Sequence, residues 1–243
     1  MNYDHFNIAY GDTLINPQHW DDEPFEVIVS NPPYSTKWEG DDNPTLINDP
    51  RFAPAGVLAP KSKADLAFTM HMLSWLAADG TAASSSFPAC STAAARNRNP
   101  QYLLEKNFID AVIQLPPNLF FGTSIATCII VLRKSKNDDS VLFIDASERF
   151  VHVGNQNQLS PDDIATIMDA YVKREPVEHF SAVASLEDIR KNDYVLSVNG
   201  YVQPEDTREK IDIAALNRQI SDIVARENEL RAQIDAIVAN LEN

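Results

Sequence analysis

Residues 25–34 read Phe-Glu-Val-Ile-Val-Ser-Asn-Pro-Pro-Tyr, an apolar run followed by an unusual loop. The run Phe25–Val29 is short and rich in apolar and β-branched residues, which predicts a β-strand. The two consecutive prolines fix their φ angles and remove two backbone N–H donors. We therefore predict a stiff loop at the end of this strand, with carbonyl groups that point away from their own chain.

The side chains of this loop suit the binding of a planar group that bears an NH2. Asn31 offers a side-chain carbonyl and Tyr34 a flat aromatic ring. The Asn31 side chain and the Pro32 carbonyl could accept both amino hydrogens and aim the nitrogen lone pair at an electrophilic methyl group, without a strong base or a metal. An adenine would have to leave its duplex, with Tyr34 as stacking platform. Asn31, Pro32, Pro33 and Tyr34 are thus candidate catalytic residues of an amino-methyltransferase; the alternative reading is a rigid turn.

Composition places the chain among ordinary globular proteins. Its 243 residues are 44% hydrophobic and 23% charged, enough for one domain and an appendage. No apolar run is long enough to span a bilayer and residues 1–4 do not begin a signal peptide, so we expect a cytoplasmic protein without a membrane partner. Cys90, Cys128 and five scattered histidines suggest neither a disulfide framework nor a metal site.

The charge balance and the glycine content argue against a self-sufficient DNA-binding enzyme. The net charge is −15, whereas a protein that grips DNA unaided usually has a basic face. We read the local cations near the motif as solvated loop charges: Lys61, Lys63, Arg96 and Arg98. Only seven glycines occur, widely spaced, so a glycine-bearing cofactor turn is missing. Another subunit is therefore expected to hold the DNA backbone.

Patterning along the chain predicts an α/β sheet with an antiparallel edge. Phe6–Asp12 is predicted as a short strand that ends in a Gly-Asp turn. Helices are predicted at Ala64–Ala78, stopped by Gly80, at Pro100–Asn107 and at Pro161–Lys173. Further strands are predicted at Ile109–Leu115, and at Ala126–Arg133 and Val141–Asp145, the last two as a hairpin.

The tail carries a heptad pattern. Apolar residues recur in alternating steps of four and three, with Glu227 the one charged residue in register; they are Leu216, Ile220, Ile223, Leu230, Ile234, Ile237 and Leu241. Such a seam predicts a long helix that needs a packing partner. Packing on its own domain and pairing with another molecule remain open.

Four segments together resemble the modification (M) subunit of type I restriction–modification systems, an adenine-N6 DNA methyltransferase. They are the Phe-Asn-Ile-Ala-Tyr-Gly-Asp-Thr-Leu of residues 6–14, the Val-Ser-Asn-Pro-Pro-Tyr of 29–34, the Lys-Ser-Lys-Ala-Asp-Leu-Ala-Phe of 61–68 and the Leu-Pro-Pro-Asn-Leu-Phe-Phe-Gly-Thr of 115–123. The resemblance implies part of a Rossmann-like sheet that binds S-adenosylmethionine, followed by a C-terminal long helix. Residues 1–146 would be the C-terminal part of the catalytic domain, 147–206 a connecting region and 207–243 the heptad helix for subunit association.

The same resemblance implies site residues and partners. Asp12, in the Gly-Asp turn, would contact S-adenosylmethionine on its adenine side. Phe120 or Phe121 would help to hold the flipped base, although core packing is the stronger reading of these rings. The expected partners are DNA, a second M subunit, a specificity subunit that reads the DNA and docks on the heptad tail, and the restriction subunit.

Two departures from the family are expected to matter. The family's N-terminal helical region and glycine-bearing strand are not found ahead of the Gly-Asp turn, so we expect little methyl transfer by this chain alone. In addition, members of the family continue here with an apolar strand and a glycine-rich loop. A family-like peptide, Ile-Val-Glu-Phe-Pro-Gly-Val-Leu-Tyr-Arg-Gly-Gly-Ala-Glu-Gln, can be written in codons that encode residues 84–98 of this chain when they are read one base later. We expect a frameshifted segment there, and a fold weakened around residues 82–100 because serines replace apolar residues.

Two other functions remain open at the level of sequence. The chain could be a non-catalytic assembly module that binds a specificity subunit through its heptad tail. It could also be a glutamine-amide methyltransferase, a class that shares Asn-Pro-Pro-Tyr, although the segments at residues 61–68 and 115–123 argue against that class.

Overall fold

The computed structural model describes residues 6–19, 23–86, 98–121, 124–205 and 213–241. The chain divides into two compact units, residues 1–204 and residues 205–243. Within the described ranges, no helix combines the length and the apolar character needed to cross a membrane.

The first unit is built on a six-stranded mixed sheet. In spatial order its strands are β1 (Phe25–Ser30), β2 (Leu76–Ser86), β4 (Cys128–Arg133), β3 (Ile109–Gln114), β5 (Val141–Asp145) and β8 (Ser181–Ala184). Two pairs are parallel, β1 with β2 and β3 with β5, while β4 and β8 run antiparallel to their neighbours. A separate hairpin joins β6 (Val151–Val153) to β7 (Gln156–Gln158).

The described residues contain five α-helices, four in the first unit and one in the second. They are α1 (Asp65–Trp75), α2 (Arg98–Glu105), α3 (Pro161–Lys173), α4 (Leu186–Lys191) and α5 (Ile213–Leu241). The predicted bounds of α3 are confirmed. Its start is fixed by a capping box, in which Ser160 and Asp163 exchange side-chain and backbone hydrogen bonds.

The predicted hairpin of the fourth and fifth strands is wrong. Both strands exist, but β3 lies between them in the sheet. The apolar strand β4 gains backbone partners on both edges by pairing with β2 and β3, which satisfies its buried N–H and C=O groups. The polar segment 134–140, which connects β4 to β5, is held by Lys136. Its Nζ donates to the carbonyls of Ile109 and Ser140 at 2.8 and 2.7 Å.

The strand predicted at Phe6–Asp12 is also wrong within the described residues 6–12, which adopt no regular structure. The side chains of Phe6, Ile8 and Tyr10 are exposed. The strand β1 forms one edge of the sheet, and its Val27 and Val29 are 70% and 81% exposed. The alternation of apolar residues in Phe6–Asp12 was therefore not sufficient to predict a strand, because a strand must also pair with the edge of a neighbouring strand.

Two apolar clusters cover the two faces of the sheet. Alternate residues of β3 point to opposite faces, with Val112 in one cluster and Ala111 and Ile113 in the other. The helix α1 and the segment 46–59 pack on the first face, and α3 covers the second. The segment 147–206 contributes β8 to the sheet, and its Tyr201 stacks on Phe143 with ring centroids 3.9 Å apart.

Gly80 lies inside β2 and does not end the preceding helix, contrary to the prediction from sequence. The helix α1 ends at Trp75, and β2 begins at the next residue. Pairing then advances by two residues along β1 but by five along β2, so β2 bulges against its neighbour. A Cβ at position 80 would lie 2.9 Å from the carbonyl oxygens of both Phe25 and Glu26. Glycine therefore permits the close approach of the two strands.

We expect Gly80→Ala to lower the free energy of unfolding by about 1–3 kcal/mol, because β1 would have to shift away from the added methyl group. Urea denaturation followed by circular dichroism would measure this loss. Gly11→Ala is the matched control, since a Cβ there meets nothing closer than 3.8 Å. Equal stability of the two variants would contradict the close approach at Gly80.

Candidate functional site

The loops that contain the predicted site residues leave the same edge of the sheet. The strand β1 runs with β2, and β4 is antiparallel to both β2 and β3, so β1 and β3 run in the same direction. The Asn-Pro-Pro-Tyr loop follows β1, and residues 115–121 follow β3. Three strand spacings separate β1 from β3, roughly 14 Å. The topology therefore places both loops at one edge without making their strands neighbours.

Within the loop after β1, hydrogen bonds join Asn31, Tyr34 and Ser85. The Tyr34 hydroxyl donates to Oδ1 of Asn31 at 2.9 Å. It is also hydrogen-bonded to the hydroxyl of Ser85, a buried residue of β2. Asn31 and Pro33 are exposed, and Pro32 and Tyr34 are partly buried. The side-chain carbonyl that sequence reasoning selected thus lies at the surface in a fixed orientation.

The end of this loop is tied to the start of α1. Ser35 has a φ of +50°, and its N–H donates to Oδ1 of the buried Asp65 at 3.3 Å. The Ala64 N–H donates to the Thr36 carbonyl at 2.9 Å, and the Thr36 hydroxyl donates to the Pro33 carbonyl at 3.4 Å. These contacts hold the loop on a rigid helix, which is the support that a precise binding site requires.

Asp12 forms the turn in which it lies. Its Oδ1 accepts the N–H groups of Leu14 and Ile15 at 2.9 and 3.4 Å, and its backbone carbonyl accepts the N–H of Asn16 at 2.8 Å. The residue is exposed. One carboxylate oxygen is therefore committed to the local turn, and the predicted contact of Asp12 with a cofactor stays a prediction.

The two phenylalanines of the predicted target-base region differ in environment. Phe120 packs against the apolar cluster on the α3 side of the sheet, whereas Phe121 is 96% exposed. Both line an open cleft of about 510 Å³, together with Asn118, Ser124, Val153, Asn155 and Gln156. Phe121 thus offers a free aromatic face beside several amide groups, and Phe120 anchors the loop that presents it.

Among the described residues, neither a candidate metal site nor a second, larger cavity coincides with the predicted site residues. Among the described residues, no group of three or more His, Cys, Asp or Glu side chains could hold a metal ion. A cavity of about 690 Å³ is lined mainly by apolar residues between positions 47 and 62, and none of the predicted site residues lines it. Cys90 and the segment 87–97 lie outside the described residues.

Comparison with protein families assigns the chain. A model described as N-6 DNA Methylase matches residues 1–210, which is most of the sequence. The chain belongs to the N-6 DNA methylase family. This assignment confirms the type of family inferred from the four sequence segments.

Two curated relatives resemble the chain along nearly its whole length. It is 41% identical to the type I restriction enzyme MpnII methylase subunit of Mycoplasma pneumoniae, over 99% of this chain and 46% of that protein. It is 30% identical to the MjaVII methylase subunit of Methanocaldococcus jannaschii, over 98% of this chain and 42% of that protein. The chain therefore spans less than half the length of both relatives.

A solved structure supports the fold of this N-6 DNA methylase-family chain. The type I restriction-modification methyltransferase subunit from Streptococcus thermophilus is 40% identical and superposes with a TM-score of 0.76. The match covers 80% of this chain and 41% of that subunit. The mixed sheet with its flanking helices is thus similar to the sheet of that methyltransferase subunit, and the α/β fold class predicted from the sequence is confirmed.

A buried arginine, Arg51, holds the turn that follows Asp12. Arg51 donates to the carbonyl of Thr13 at 2.9 Å and to that of Leu14 at 2.6 Å. Its guanidinium also forms a salt bridge with Asp49, at 2.8 Å. Because the guanidinium is buried, its hydrogen bonds to these acceptors compensate for lost hydration.

His71 completes this cluster as a neutral side chain. Its Nδ1 lies 3.0 Å from Nη1 of Arg51, and a guanidinium only donates, so Nδ1 accepts. The proton is therefore on Nε2, which lies 3.1 Å from the Thr13 hydroxyl. Burial, followed by the charge of Arg51, lowers the pKa of His71 to about 4, although Asp49 acts in the opposite direction. The cluster thus carries one buried cation next to a neutral imidazole.

We expect the cluster to make stability depend on pH between about 6.5 and 4. The folded-state pKa of His71 lies below its ordinary value of 6.5, so the unfolded chain takes up the proton first as the pH falls. The free energy of unfolding should therefore fall through this window, by about 3 kcal/mol at most. Urea denaturation at several pH values would measure the fall.

The variant His71→Gln should remove this part of the pH dependence. His152→Gln is the control, because His152 is exposed on β6 and outside the cluster. A pH profile that is unchanged in His71→Gln would show that another group is responsible.

Proposed function

We propose that this chain carries the target-amine part of a DNA adenine-N6 methyltransferase site, as part of the M subunit of a type I restriction–modification system. The observation that carries the proposal is the Asn31 side-chain carbonyl, exposed at the carboxyl end of β1 and oriented by Tyr34. The family assignment and the relatives' names support it.

The geometry of Asn31 suits an aromatic amine. A carbonyl oxygen has two lone pairs, and the Tyr34 hydroxyl uses one of them. The second could accept one amino hydrogen of a flipped adenine, and the Pro32 carbonyl the other. Both acceptors belong to a loop anchored at Ser35 and Thr36, so little reorganisation would be needed when the base binds.

We propose S-adenosylmethionine as the methyl donor, which when bound supplies a methyl group on a positively charged sulfur. The exposure of Asp12 is compatible with a contact to this methyl donor. The Asp12 carboxylate is exposed, and only Oδ1 accepts the described backbone N–H groups, so the adenine amine of the methyl donor could donate to the other carboxylate oxygen. Phe121 could stack on the flipped base from the loop after β3.

Association with other subunits is the second part of the proposal. In α5, the described seam residues are all about half exposed or more; they are Leu216, Ile220, Ile223, Leu230, Ile234 and Ile237. A 29-residue helix with an exposed heptad seam is marginal in water without a packing partner. We propose that a specificity subunit packs on this seam, in an assembly with DNA, a second M subunit and the restriction subunit.

A glutamine side-chain amide is a less suitable substrate than adenine for this chain. The family assignment favours a nucleobase, and the exposed ring of Phe121 would stack on a base but gains little from an aliphatic amide. Purine ligands therefore test the amine site directly.

We expect the chain to bind 2′-deoxyadenosine about tenfold more tightly than purine 2′-deoxyriboside, which lacks only the amino group. Two hydrogen bonds from that amine would together contribute about 1.4 kcal/mol or more. Nuclear magnetic resonance titration of the 243-residue chain would measure both affinities. Asn31→Ala should reduce the preference for the amine several-fold, and Asn31→Asp, which keeps an acceptor oxygen, should retain more of it.

Two further variants keep the interpretation specific. Asn217→Ala lies on α5 and should leave the preference unchanged. Asp12→Ala should also leave the preference unchanged if the amine is bound at Asn31. Loss of the preference in Asp12→Ala would indicate that the nucleoside binds at Asp12. Equal binding of both nucleosides by the wild-type chain would contradict the proposed amine site.

For the association, we expect Ile220→Asp combined with Ile234→Asp to abolish co-purification with a tagged specificity subunit, because two charges would be buried in the seam. The control is Ala225→Asp combined with Ala232→Asp, two positions outside the heptad seam. Retained binding by the seam variant would contradict docking on α5. Association without any amine preference would instead favour a non-catalytic assembly module.

A further inference from the structure

Ser85 lies beneath the candidate site in a position that the strand register determines. Ser30 of β1 pairs with Ser84 of β2, so the next residues along these parallel strands are Asn31 and Ser85. On its other side, Ser85 pairs with Ile129 of the antiparallel strand β4. The serine is therefore held between two strands and is 8% exposed. A side chain so placed has little freedom to move away from the loop above it.

The hydrogen bonds at this point have a defined direction. The Tyr34 hydroxyl has a single proton, and it donates that proton to Oδ1 of Asn31. In the contact between the hydroxyls of Tyr34 and Ser85, the tyrosine oxygen must then accept, and the Ser85 hydroxyl donates. A chain of donors therefore runs from Ser85 through Tyr34 to Asn31. Each bond in such a chain polarises and strengthens the next.

We propose that Ser85 is a positioning residue for recognition of the target amine, which rests on the function proposed above. Ser85 holds the tyrosine hydroxyl, and the hydroxyl donates to one lone pair of Asn31 Oδ1, which leaves the second lone pair of this oxygen for the base. This fixes which end of the asparagine amide faces an incoming base. An amide rotated by 180° would present NH2, which cannot accept a hydrogen from an adenine amine. Ser85 thus acts on the substrate only through Tyr34 and Asn31.

The test compares affinities for 2′-deoxyadenosine and purine 2′-deoxyriboside in variants of the full chain. Ser85→Ala should reduce the preference for the amine about three- to tenfold, because it removes one donor. It should leave the affinity for purine 2′-deoxyriboside nearly unchanged. Ser85→Thr keeps the hydroxyl and should retain the preference. Tyr34→Phe should reduce it as Ser85→Ala does, and the double variant should be no worse than either single one.

A second measurement needs no ligand. The side-chain NH2 signals of Asn31 in a ¹⁵N spectrum should shift in Ser85→Ala and in Tyr34→Phe, and should stay in place in Ser85→Thr. A structural role of Ser85 in β2 alone would lower stability without moving these signals or changing the ratio of the two affinities.

The outcomes separate the two proposals. Equal nucleoside affinities in the wild-type chain would refute the amine site, whatever the Asn31 signals do. A wild-type preference that Asn31→Ala removes but Ser85→Ala leaves intact would refute the positioning role alone. Asn31 signals that are unmoved in Ser85→Ala would also overturn that role, even in the absence of measurable nucleoside binding.

Discussion

Because β1 and β2 pair in parallel, with Ser30 opposite Ser84, the loop that follows β1 begins directly beside Ser85. The close approach at Gly80 lies within this pairing, where carbonyl groups of β1 leave no room for a side chain. A register shift of one residue would turn Ser85 toward the other face of the sheet and separate it from Tyr34. The orientation of the Asn31 amide therefore depends on a backbone pairing as well as on local loop chemistry.

The helix α1 connects the two segments that we associate with the methylated base and with the methyl donor. Its first residue, Asp65, accepts the Ser35 N–H at the end of the Asn-Pro-Pro-Tyr loop. Its His71 contacts Thr13 and Arg51, which hold the turn after Asp12. Both segments are thus held by the same rigid helix. A displacement of α1 would change the two at once, which is an arrangement suited to bringing two reactants together.

Local sequence signals predicted those elements whose formation depends on neighbours in the chain. The helix α3 falls into this class, because its predicted bounds match those of the structure. The order of β3, β4 and β5 could not be read in the same way, because pairing depends on edges supplied by distant residues. At the site, Asn31 and Tyr34 could be selected from the sequence by their residue types and their spacing in the Asn-Pro-Pro-Tyr motif. The residues that support this loop and the turn after Asp12 lie 30 to 58 residues in sequence from the groups that they contact, and no local signal marked them: Asp65, Ser85, Arg51 and His71.

The strand β2 shows how polar residues can be accommodated where apolar ones were expected. Ser84, Ser85 and Ser86 remain paired with β4, and all three are buried. Backbone pairing therefore outweighs the poor burial energy of serine at this position, although each hydroxyl still needs a partner. Ser85 finds one in Tyr34. If residues 84–98 arose by a shift of reading frame, the shift placed a hydroxyl where the neighbouring frame encodes valine. The donor chain to Asn31 would then be a property of this chain, gained at the cost of apolar area in the sheet.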